Sequence, residues 1–540
     1  MHKNKIHGPS GGALFAALLV FYAVVFGGRW LWVRSVRGVR LEPVKSEYLH
    51  YEFVDIRLRA RDPLLNQQWR SAPPLVTVTR AGRPVATIAD MRQVRLRPDG
   101  WGAWSGRWPC PWNAPAGEYR LELSSSAALG ARLQTKAFRI AYRRPEPLPK
   151  NFAVLTLESD LPLEGVKVKA PDGSMKDWRG MLDWVQYVGA DAFWVLGGRS
   201  PGVKPGQVWL DYNLPFFPKL AKECRRRGIK FGIYAQCYLT MSSAQRIPGY
   251  EYALDVEDGV PRITRAVSLR EDKRARDLVE LLKRFRDIPE VDYIGLDYIR
   301  NALGGMELVD DFYADMAGVV APPAELAALN REERIVYFAR KKAMRKDMQF
   351  IDAWQWWRAH RVSRVIERMK AELGSAKPLW AFVLTWDKGW HHGQDPVMFN
   401  DAGVDAAALM LYEADSEQYT ALLHDWSRYV RRSDAQLLVG DVVDWPLHQK
   451  NADGPRELYR RTMRAQQGIY ADGPAYGLFV HDLGRALWGR LGPWSTRAWM
   501  DEARAAIRSM KREDPPARDG VGLWPRPQAP AAPLLPAVSR

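Results

Sequence analysis

The sequence predicts an α/β protein whose main domain is a (β/α)8 TIM barrel, preceded by an N-terminal membrane helix and a small immunoglobulin-like β-sandwich. After residue 150, apolar strand-like runs alternate with amphipathic helices, and eight such units follow one another. This alternation is typical of a parallel sheet built from βαβ units, and eight repeats close most economically into a barrel. A doubly wound open sheet is the alternative.

The eight predicted barrel strands are short apolar runs at residues 152–157, 192–196, 230–235, 293–298, 379–385, 406–412, 436–443 and 475–480. Gly189 and Gly228 end the first two intervening helices, as glycine commonly does at a helix C-terminus. Residues from about 304 to 375 are too many for one crossover. We therefore expect an insertion there with two or more helices, including a Trp-rich one.

An apolar run without charge covers residues 11–28, close to the minimum of about 17 residues that cross a bilayer as a helix. Trp30 and Trp32 follow it, where an interfacial aromatic belt would lie. Residues 1–38 are therefore predicted to form a membrane anchor and its flank, with a cleaved signal peptide as the alternative.

Short alternating runs with a period of two fill residues 39–142 and predict a β-sandwich accessory domain. Within it, residues 108–123 look like the late hairpin of an immunoglobulin-like domain. Residues 143–150 hold three prolines and predict a stiff linker to the barrel at 151–512. The Pro- and Ala-rich tail at 513–540 is predicted to be disordered.

The formal net charge of +17 favours anionic polymers or anionic lipid surfaces as partners. The sequence shows no zinc-ligand pattern or single-strand-binding signature, and its basic residues are spread along the chain, so no nucleic-acid partner is expected. Cys110, Cys224 and Cys237 form no CxxC pair, which indicates structural thiols rather than a disulfide framework.

In β/α barrels the active site lies at the carboxyl ends of the strands, so polar residues just after each apolar run are the candidates. They are Glu158, Gln236, Asp297, Arg300, Asp387, Glu413, Asp441, Asp444, His481 and Asp482. Asp297 is distinct because it interrupts an otherwise apolar strand, where a buried charge is costly unless it is paired or used. Glycoside hydrolysis requires two such carboxyl groups on either side of the scissile bond.

The segment 265–300 resembles a passage of the glycosyl-hydrolase-like 10 family and related bacterial polysaccharide-hydrolase barrels that ends in an Asp-Tyr-Tyr-Arg-type motif. The matching residues are Asp297, Tyr298 and Arg300, with supporting similarity at 228–234, 357–373 and 385–387. The resemblance implies a sugar-cleaving role for Asp297, with Arg300 fixing its charge or gripping substrate. The sixth strand departs from the family pattern, since it ends in Tyr-Glu-Ala-Asp at 412–415, so the second carboxylate does not carry over.

From the residues alone, Glu413 is the first choice as the partner of Asp297, because two strands of separation can place the carboxyl groups across the pocket. Asp387 and Asp441 follow. The predicted substrate-binding residues combine polar groups with aromatic rings on which sugar faces stack: Arg300, Tyr298, Glu158, Gln236, His481, Trp194, Trp386, Trp390 and Trp445. His391 and His392 lack ligand partners at metal spacing, so neither a metal nor a cofactor is expected.

The leading hypothesis is a membrane-anchored glycoside hydrolase acting on a bacterial surface or secreted polysaccharide, for which the +17 charge would suit an anionic one. Its domain would lie outside the cytoplasm, where such a hydrolase is useful, although the basic residues after the apolar run favour the opposite orientation. The alternatives are a non-catalytic glycan-binding or scaffold protein with a degenerate barrel site, and a metal-dependent hydrolase such as a deacetylase.

Overall fold

A computed structural model describes residues 11–36, 38–85, 92–124, 132–200, 208–240, 246–270, 272–300, 304–343, 348–374, 377–384, 392–411, 416–429, 435–449, 454–470 and 473–512. The first helix, α1, spans Gly11–Val36. Among the residues that the structure describes, no helix is both long enough and apolar enough to cross a membrane. The tail predicted to be disordered lies outside the described residues.

Two β-sheets follow α1 and pack on a shared core. Their strands are β1 (Gly38–Pro43), β2 (Glu47–Tyr48), β3 (Phe53–Ala60), β4 (Leu75–Arg80), β5 (Arg83–Pro84), β6 (Gln93–Arg95), β7 (Arg97–Pro98), β8 (Ala103–Pro109), β9 (Gly117–Leu123), β10 (Arg132–Thr135) and β11 (Phe138–Ile140), with helix α2 (Pro63–Ser71) after β3. The strand orders are β10-β1-β3-β8-β7 and β2-β11-β9-β4-β5, with β6 also on β4. Trp108 of β8 and Trp69 of α2 are among the large side chains buried in this core.

The prediction of a hairpin at residues 108–123 is wrong. Strand β8 pairs with β3 and β7, whereas β9 pairs with β4 and β11, so the segment between them crosses from one sheet to the other. Pro109 and Pro111 explain the crossing, because proline has no N–H with which to continue a strand ladder.

The barrel strands and their additions follow in chain order. They are β12 (Phe152–Leu157), β13 (Val168–Lys169), β14 (Met175–Lys176), β15 (Ala192–Ser200), β16 (Lys230–Thr240), β17 (Tyr252–Glu257), β18 (Val260–Val267), β19 (Tyr293–Asp297), β20 (Leu379–Leu384), β21 (Ala406–Met410), β22 (Leu437–Val442) and β23 (Gly477–His481). Eight of them pair in parallel in the order β15-β12-β23-β22-β21-β20-β19-β16, and β16 pairs back onto β15. The sheet is therefore closed, and the predicted barrel is confirmed.

The helices that accompany the barrel are α3 (Arg179–Val188), α4 (Phe217–Arg226), α5 (Asp272–Arg286), α6 (Val309–Asp315), α7 (Arg331–Ala343), α8 (Met348–Leu373), α9 (Pro396–Ala402), α10 (Ser416–Tyr429), α11 (Trp445–His448), α12 (Pro455–Gly468), α13 (Leu483–Trp488) and α14 (Thr496–Lys511). Helices α6 to α8 lie between β19 and β20, where the insertion was expected. Trp354, Trp356 and Trp357 of α8 are fully buried.

Large side chains fill the barrel interior. The Trp194 and Trp380 rings stack with centroids 3.7 Å apart. Glycines opposite them provide the space, since a Cβ on Gly232 would lie 2.4 Å from the Trp194 ring and one on Gly295 would lie 2.2 Å from the Trp380 ring. Trp194 was expected to line a cleft, but it is fully buried in this core. Its position six residues before the end of β15 accounts for the difference, because that depth is inside the barrel.

The sandwich is bonded to the outside of the barrel. His50 Nδ1 lies 2.7 Å from Asp401 Oδ2, and the Trp356 indole donates to Cys110 O at 2.8 Å. The segment 143–150 contains no helix or strand, and Arg143 within it pairs with Asp405 at 2.9 Å. Buried ion pairs and hydrogen bonds therefore fix the accessory domain in position.

Candidate active site at the carboxyl end of the barrel

Four predicted site residues share the inner face of the barrel at its carboxyl end. Glu158 directly follows β12, Gln236 lies in β16, and Asp297 and His481 end β19 and β23. Side chains alternate along a strand, and each of these residues is an even number of positions after an inward-facing core residue. Gln236 and Asp297 are also direct register partners across β16 and β19. Closure of the barrel thus brings together groups from four strands.

Glu158 is held by neighbours on both sides. Its Oε1 accepts a hydrogen bond from Gln236 Nε2 at 2.9 Å, and its Oε2 lies 3.3 Å from His481 Nε2. Burial acts to raise the pKa of Glu158, but the hydrogen bond and charge of His481, together with Arg485 and Arg199, hold the pKa below its usual value. Glu158 therefore carries a negative charge at neutral pH, with about a quarter of its side chain exposed.

The histidine ring is fixed from its other nitrogen. His481 Nδ1 lies 2.9 Å from the Thr156 hydroxyl, while Nε2 faces Glu158 and, at 3.5 Å, Asp482 Oδ2. The ring therefore lies between Thr156 on one side and the carboxyl groups of Glu158 and Asp482 on the other. Thr156 was not among the predicted site residues. It lies two positions before Glu158, so both side chains point to the same face of the sheet, and this spacing is the signal that could have found it.

Asp297 is almost completely buried, at 5% exposure, and its Oδ1 accepts a hydrogen bond from the Tyr298 N–H at 2.8 Å. Burial, reinforced by the negative charge of Glu158, raises the pKa of Asp297 to about 7, against the opposing positive charges of Arg300 and His481. The two carboxyl groups thus have pKa values displaced in opposite directions. Such a separation is typical of acid and base pairs in active sites.

The residues that carried the sequence motif form a tight turn. Tyr298 has a φ of +47°, in the left-handed region that non-glycine residues rarely adopt. Its carbonyl accepts hydrogen bonds from the N–H groups of Arg300 and Tyr238, at 2.9 and 3.0 Å. The Arg300 guanidinium lies 4.6 Å from the centre of the Tyr298 ring. Both residues are therefore adjacent to Asp297, as their predicted substrate-binding role requires.

Asp441 is not brought together with Asp297. In β22, the side chain of Asp441 points to the outer face of the sheet, as do those of Leu437 and Val439. Its partners there are Arg461 Nε at 3.0 Å and His448 Nε2 at 3.6 Å. The prediction of Asp441 as a catalytic partner is therefore not supported, because its side chain lies on the helix-facing side of the sheet.

Of the remaining candidates, the structure describes Asp444 and Trp445. Asp444 forms ion pairs with Arg485 and Arg490, at 2.6 and 2.9 Å, and Trp445 is half-buried against Gly492. Four predicted site residues lie outside the described residues: Asp387, Glu413, Trp386 and Trp390.

Two arginines near Glu158 were missed. Arg485 lies on α13, where it also bonds to Asp482, and the Asp-x-x-Arg spacing at the start of that helix was the available signal. Arg199 was missed because β15 continues to Ser200, four residues beyond its predicted end.

Glu158, His481 and Asp482 could hold a cation, since one ligand atom from each lies within 4.8 Å of the others. Carboxylate oxygens and imidazole nitrogens are ordinary ligands of divalent metals. Spacing in the sequence could not show this group, because β12 and β23 become neighbours only when the barrel closes. Arg485 Nε lies 3.2 Å from Asp482 Oδ2, so the cluster already has a positive partner.

No protein-family model matches the sequence, and no curated protein does either. The family resemblance noted above therefore gains no support from these comparisons. Solved structures with some likeness include a fungal β-1,4-galactanase, with 14% identity and a TM-score of 0.38 over 66% of this chain and 99% of that one.

Two further solved structures are an exo-β-1,4-mannosidase from Opitutaceae bacterium strain TAV5 and an α-amylase from Geobacillus thermoleovorans in complex with acarbose. The mannosidase has 12% identity and a TM-score of 0.34 over 68% of this chain and 62% of that one. The amylase has 14% identity and a TM-score of 0.34 over 68% and 80%. Likeness at this level carries no argument about activity, and the assignment of a barrel rests on the strand pairing itself.

Proposed function

We propose that this protein is a glycoside hydrolase whose carboxyl pair is Asp297 and Glu158. The observation that carries the proposal is their placement: two carboxyl groups from different strands lie on the inner face at the carboxyl end of a closed barrel. Glu158 takes the role that the sequence analysis gave to Glu413. Glycoside hydrolysis uses such a pair, one group as acid and the other as nucleophile or base.

The environment of each group suggests its role. The raised pKa of Asp297, about 7, keeps a proton available near neutral pH, so Asp297 donates it to the leaving glycosidic oxygen. Glu158 is ionised and either attacks the anomeric carbon or removes a proton from the attacking water. A carboxyl separation of about 5 Å favours retention of configuration, and about 6.5–9.5 Å favours inversion.

Neighbouring groups prepare Glu158 for this role. His481 holds Oε2, and the Gln236 amide holds Oε1 at 2.9 Å, so the carboxylate has a fixed orientation. A fixed carboxylate does not have to reorganise as the oxocarbenium-like charge develops, which lowers the barrier.

The proposed substrate is a polysaccharide of a bacterial surface or secreted matrix. Membrane anchoring and an extracytoplasmic domain remain part of the proposal, and their support is the apolar run at residues 11–28. Protease treatment of intact spheroplasts tests both: the barrel should be digested while residues at the extreme N-terminus are protected. Protection of the barrel in intact spheroplasts would contradict the exported location.

Hydrolysis is tested by measuring reducing ends released from a broad polysaccharide panel by wild-type protein, Asp297→Asn and Glu158→Gln. Exposed Asp99 and Glu118 offer matched controls, as Asp99→Asn and Glu118→Gln. The proposal expects both site variants to lose the activity and both controls to keep it. Wild-type protein that binds glycans and cuts none of them would indicate the non-catalytic alternative.

A second candidate is a metal-dependent hydrolase, favoured by the grouping of Glu158, His481 and Asp482. Calorimetric titration of chelator-treated protein with Zn²⁺ and Mn²⁺, with acetate release from acetylated glycans as the activity, tests it. Micromolar binding that is lost in His481→Gln, together with metal-dependent acetate release, would favour this candidate over glycoside hydrolysis.

A further inference from the structure

The two ends of the sandwich have different neighbours. At one end, the Phe53 ring lies 4.9 Å from the Trp356 ring of the barrel domain, and Pro109 is the register partner of Phe53. At the other end, β3 finishes at Ala60, whose N–H donates to Gly102 O at 2.9 Å. We call this second end, which comprises residues 38–40, 59–64 and 99–103, the far end.

Helix α1 joins the sandwich at the far end. It ends at Val36, and β1 begins at Gly38, where Val39 pairs with Ala60. In α1 the side chains at five consecutive positions, 18–22, are large, hydrophobic and 48–64% exposed. Because consecutive helix residues are about 100° apart, these five positions cover every side of the helix. A helix that is apolar on every side is stable in a lipid bilayer or in a protein core, and the described part of the chain does not cover these side chains.

Trp101 projects from the far end. It is 79% exposed, more than any other large hydrophobic side chain whose exposure is described. Gly100 and Gly102 flank it with φ angles of +89° and +70°. The Asp99 N–H donates to Ala103 O at 2.8 Å, so the tryptophan lies at the tip of a tight, hydrogen-bonded turn. Tryptophan is enriched at the interface between a bilayer and water, because its ring is apolar and its N–H is polar.

An aliphatic side chain is exposed at the same end. Leu64 lies in the first turn of α2, four residues after β3 ends, and is 45% exposed. The neighbouring Asp62 is 1% exposed, and its carboxylate accepts hydrogen bonds from the N–H groups of Leu64 and Leu65 at 2.9 and 3.3 Å. Asp99 is therefore the one exposed carboxylate among the described residues of the far end.

The far end also carries three exposed arginines. Arg40 and Arg59 are direct register partners on β1 and β3, and Arg61 follows β3. Arg40 forms an ion pair with Glu42 at 2.8 Å, whereas Arg59 and Arg61 form none among the described residues. Like charges directly opposite each other on a sheet are destabilising, and an anionic partner would relieve their repulsion. Since Asp99 offsets only part of this charge, the far end is positive.

Anionic lipid fits this combination better than an acidic polysaccharide does. Either partner would neutralise the arginines, but a sugar acid chain has no hydrocarbon in which Leu64 could be buried. The headgroup region of a bilayer offers phosphates to arginine next to hydrocarbon for leucine and tryptophan. Helix α1 favours lipid independently, because it brings an exposed apolar segment to the same end.

We infer that the far end is a docking surface for an anionic phospholipid bilayer, in which Trp101 and Leu64 enter the interface and Arg59 and Arg61 contact lipid phosphates. The eight residues of β3 span about 25 Å, and the barrel packs against the opposite end of this strand. The sandwich therefore acts as a spacer between the bilayer and the barrel. The inference goes beyond the proposed hydrolysis and does not depend on it.

The test uses the full chain reconstituted into phospholipid vesicles, with an environment-sensitive fluorophore attached through Gln67→Cys. Gln67 is exposed on α2, one turn after Leu64, and the three native cysteines are buried, so the label reports on the far end. Vesicles of phosphatidylcholine are compared with vesicles containing about one third phosphatidylglycerol. We expect brighter, blue-shifted emission in the anionic vesicles, which falls at about 0.5 M salt, where the Debye length is about 4 Å.

A second label position provides the control for the place of contact. Glu118→Cys lies four residues after Ala114, whose carbonyl oxygen is 2.7 Å from His50 Nε2 at the barrel end of the sandwich. A label there should show the same emission in both kinds of vesicle, because it faces away from the bilayer.

Variants then test each part of the surface. Each arginine close to an anionic bilayer strengthens contact by about fivefold, so Arg59→Glu with Arg61→Glu should lower the ratio of bound to unbound surface by more than about tenfold. Leu64→Ser should lower this ratio by about tenfold. The matched control is Arg83→Glu with Arg120→Glu, two exposed arginines of the other sheet, which should leave the emission unchanged. Thermal unfolding of each variant confirms that it is folded.

Three results would overturn the inference: equal emission in neutral and anionic vesicles, equal emission changes at both label positions, or an unchanged response in both the arginine variant and Leu64→Ser. A response to polygalacturonate in detergent that matches the response to anionic vesicles and survives Leu64→Ser would identify an acidic glycan instead.

Vesicle flotation separates this surface from the proposed membrane anchor. Protein that floats with the vesicles but shows no label response would overturn the docking surface and leave the anchor intact. Protein that does not float with anionic vesicles would contradict both. Neither result bears on hydrolysis, which is measured by the release of reducing ends.

Discussion

Two buried clusters of aspartate, histidine and other charged groups lie on opposite faces of the same barrel sheet. The inner cluster contains Asp297, Glu158 and His481, and the outer cluster contains Asp441 with His448 and Arg461. In the outer cluster, Asp441 has two basic partners. In the inner cluster, His481 contacts Glu158, and the positive charges of Arg300 and His481 oppose the raised pKa of Asp297. The inner cluster lies at the carboxyl end of the barrel, where β/α barrels carry their active sites.

Residue type and burial do not distinguish the proposed catalytic cluster from the outer cluster. The two clusters differ in the face of the sheet on which they lie. In β22, Val442 points inward beside His481, and Asp441 points outward one residue earlier. The outer cluster is expected to stabilise the fold, and the inner cluster is expected to perform chemistry at some cost in stability.

The largest expected effect separates the clusters by activity. Asp297→Asn removes the proposed proton donor and should lower kcat by about 10²–10⁴-fold, the usual contribution of general acid catalysis. Asp441→Asn should keep kcat within a few-fold per folded molecule. Initial rates of reducing-end release, normalised to folded protein by circular dichroism, provide the measurement. Equal losses in the two variants would remove the distinction between the clusters.

The same two substitutions should change stability in opposite directions. Asp441→Asn leaves Arg461, 3% exposed, without its ionic partner and should cost about 3–5 kcal/mol of unfolding free energy. Asp297→Asn should raise the unfolding free energy at pH 8 by about 1–4 kcal/mol, because it removes a carboxylate that is costly to ionise when buried. Urea unfolding measures both, and destabilisation by Asp297→Asn at pH 8 would contradict the expected cost of its charge.

That stabilisation should depend on pH. The folded-state pKa of Asp297, about 7, lies above its usual value of 3.8, so between these values the folded protein binds the extra proton. The unfolding free energy of the wild type minus that of Asp297→Asn should therefore fall by at most about 1.4 kcal/mol per pH unit from pH 5 to 7. Above pH 7 this difference should change little. Urea unfolding at four pH values tests this, and a constant difference would show that the pKa is not raised.

A smaller effect is expected from His481→Gln. Glutamine can still hydrogen-bond to Glu158 but lacks the positive charge that lowers the pKa of this carboxyl group. The acidic limb of the kcat/KM profile should move to higher pH, with a loss of about tenfold at pH 5. His448→Gln in the outer cluster is the matched control. An acidic limb that moves in the control, or in neither variant, would argue against the role of His481.

The sequence was sufficient for the fold of the barrel because each strand is an apolar run bounded by turn or cap residues. Six of the strands begin at the predicted residue: 152, 192, 230, 293, 379 and 406. The ends of β15 and β16 were missed because both continue to pair past Gly197 and Gly198, which resemble turn glycines in the sequence.

The candidate site was only partly predictable. Asp297 was recognisable because a charge inside an apolar strand is anomalous. Glu158 and Asp441 were indistinguishable as strand-end carboxylates, because strands buried on both faces carry no alternation from which the inward face can be read. Only the strand register of the closed sheet shows that Glu158 points to the inner face and Asp441 to the outer face.

We propose that the inner face of the barrel supplies both carboxyl groups, through Asp297 and Glu158. The most direct test compares single-turnover reducing-end release by Glu158→Gln and Glu413→Gln on the same cleaved polysaccharide. We expect a loss of about 10³-fold in Glu158→Gln and a change of less than about tenfold in Glu413→Gln. Full activity in Glu158→Gln with loss of activity in Glu413→Gln would contradict it.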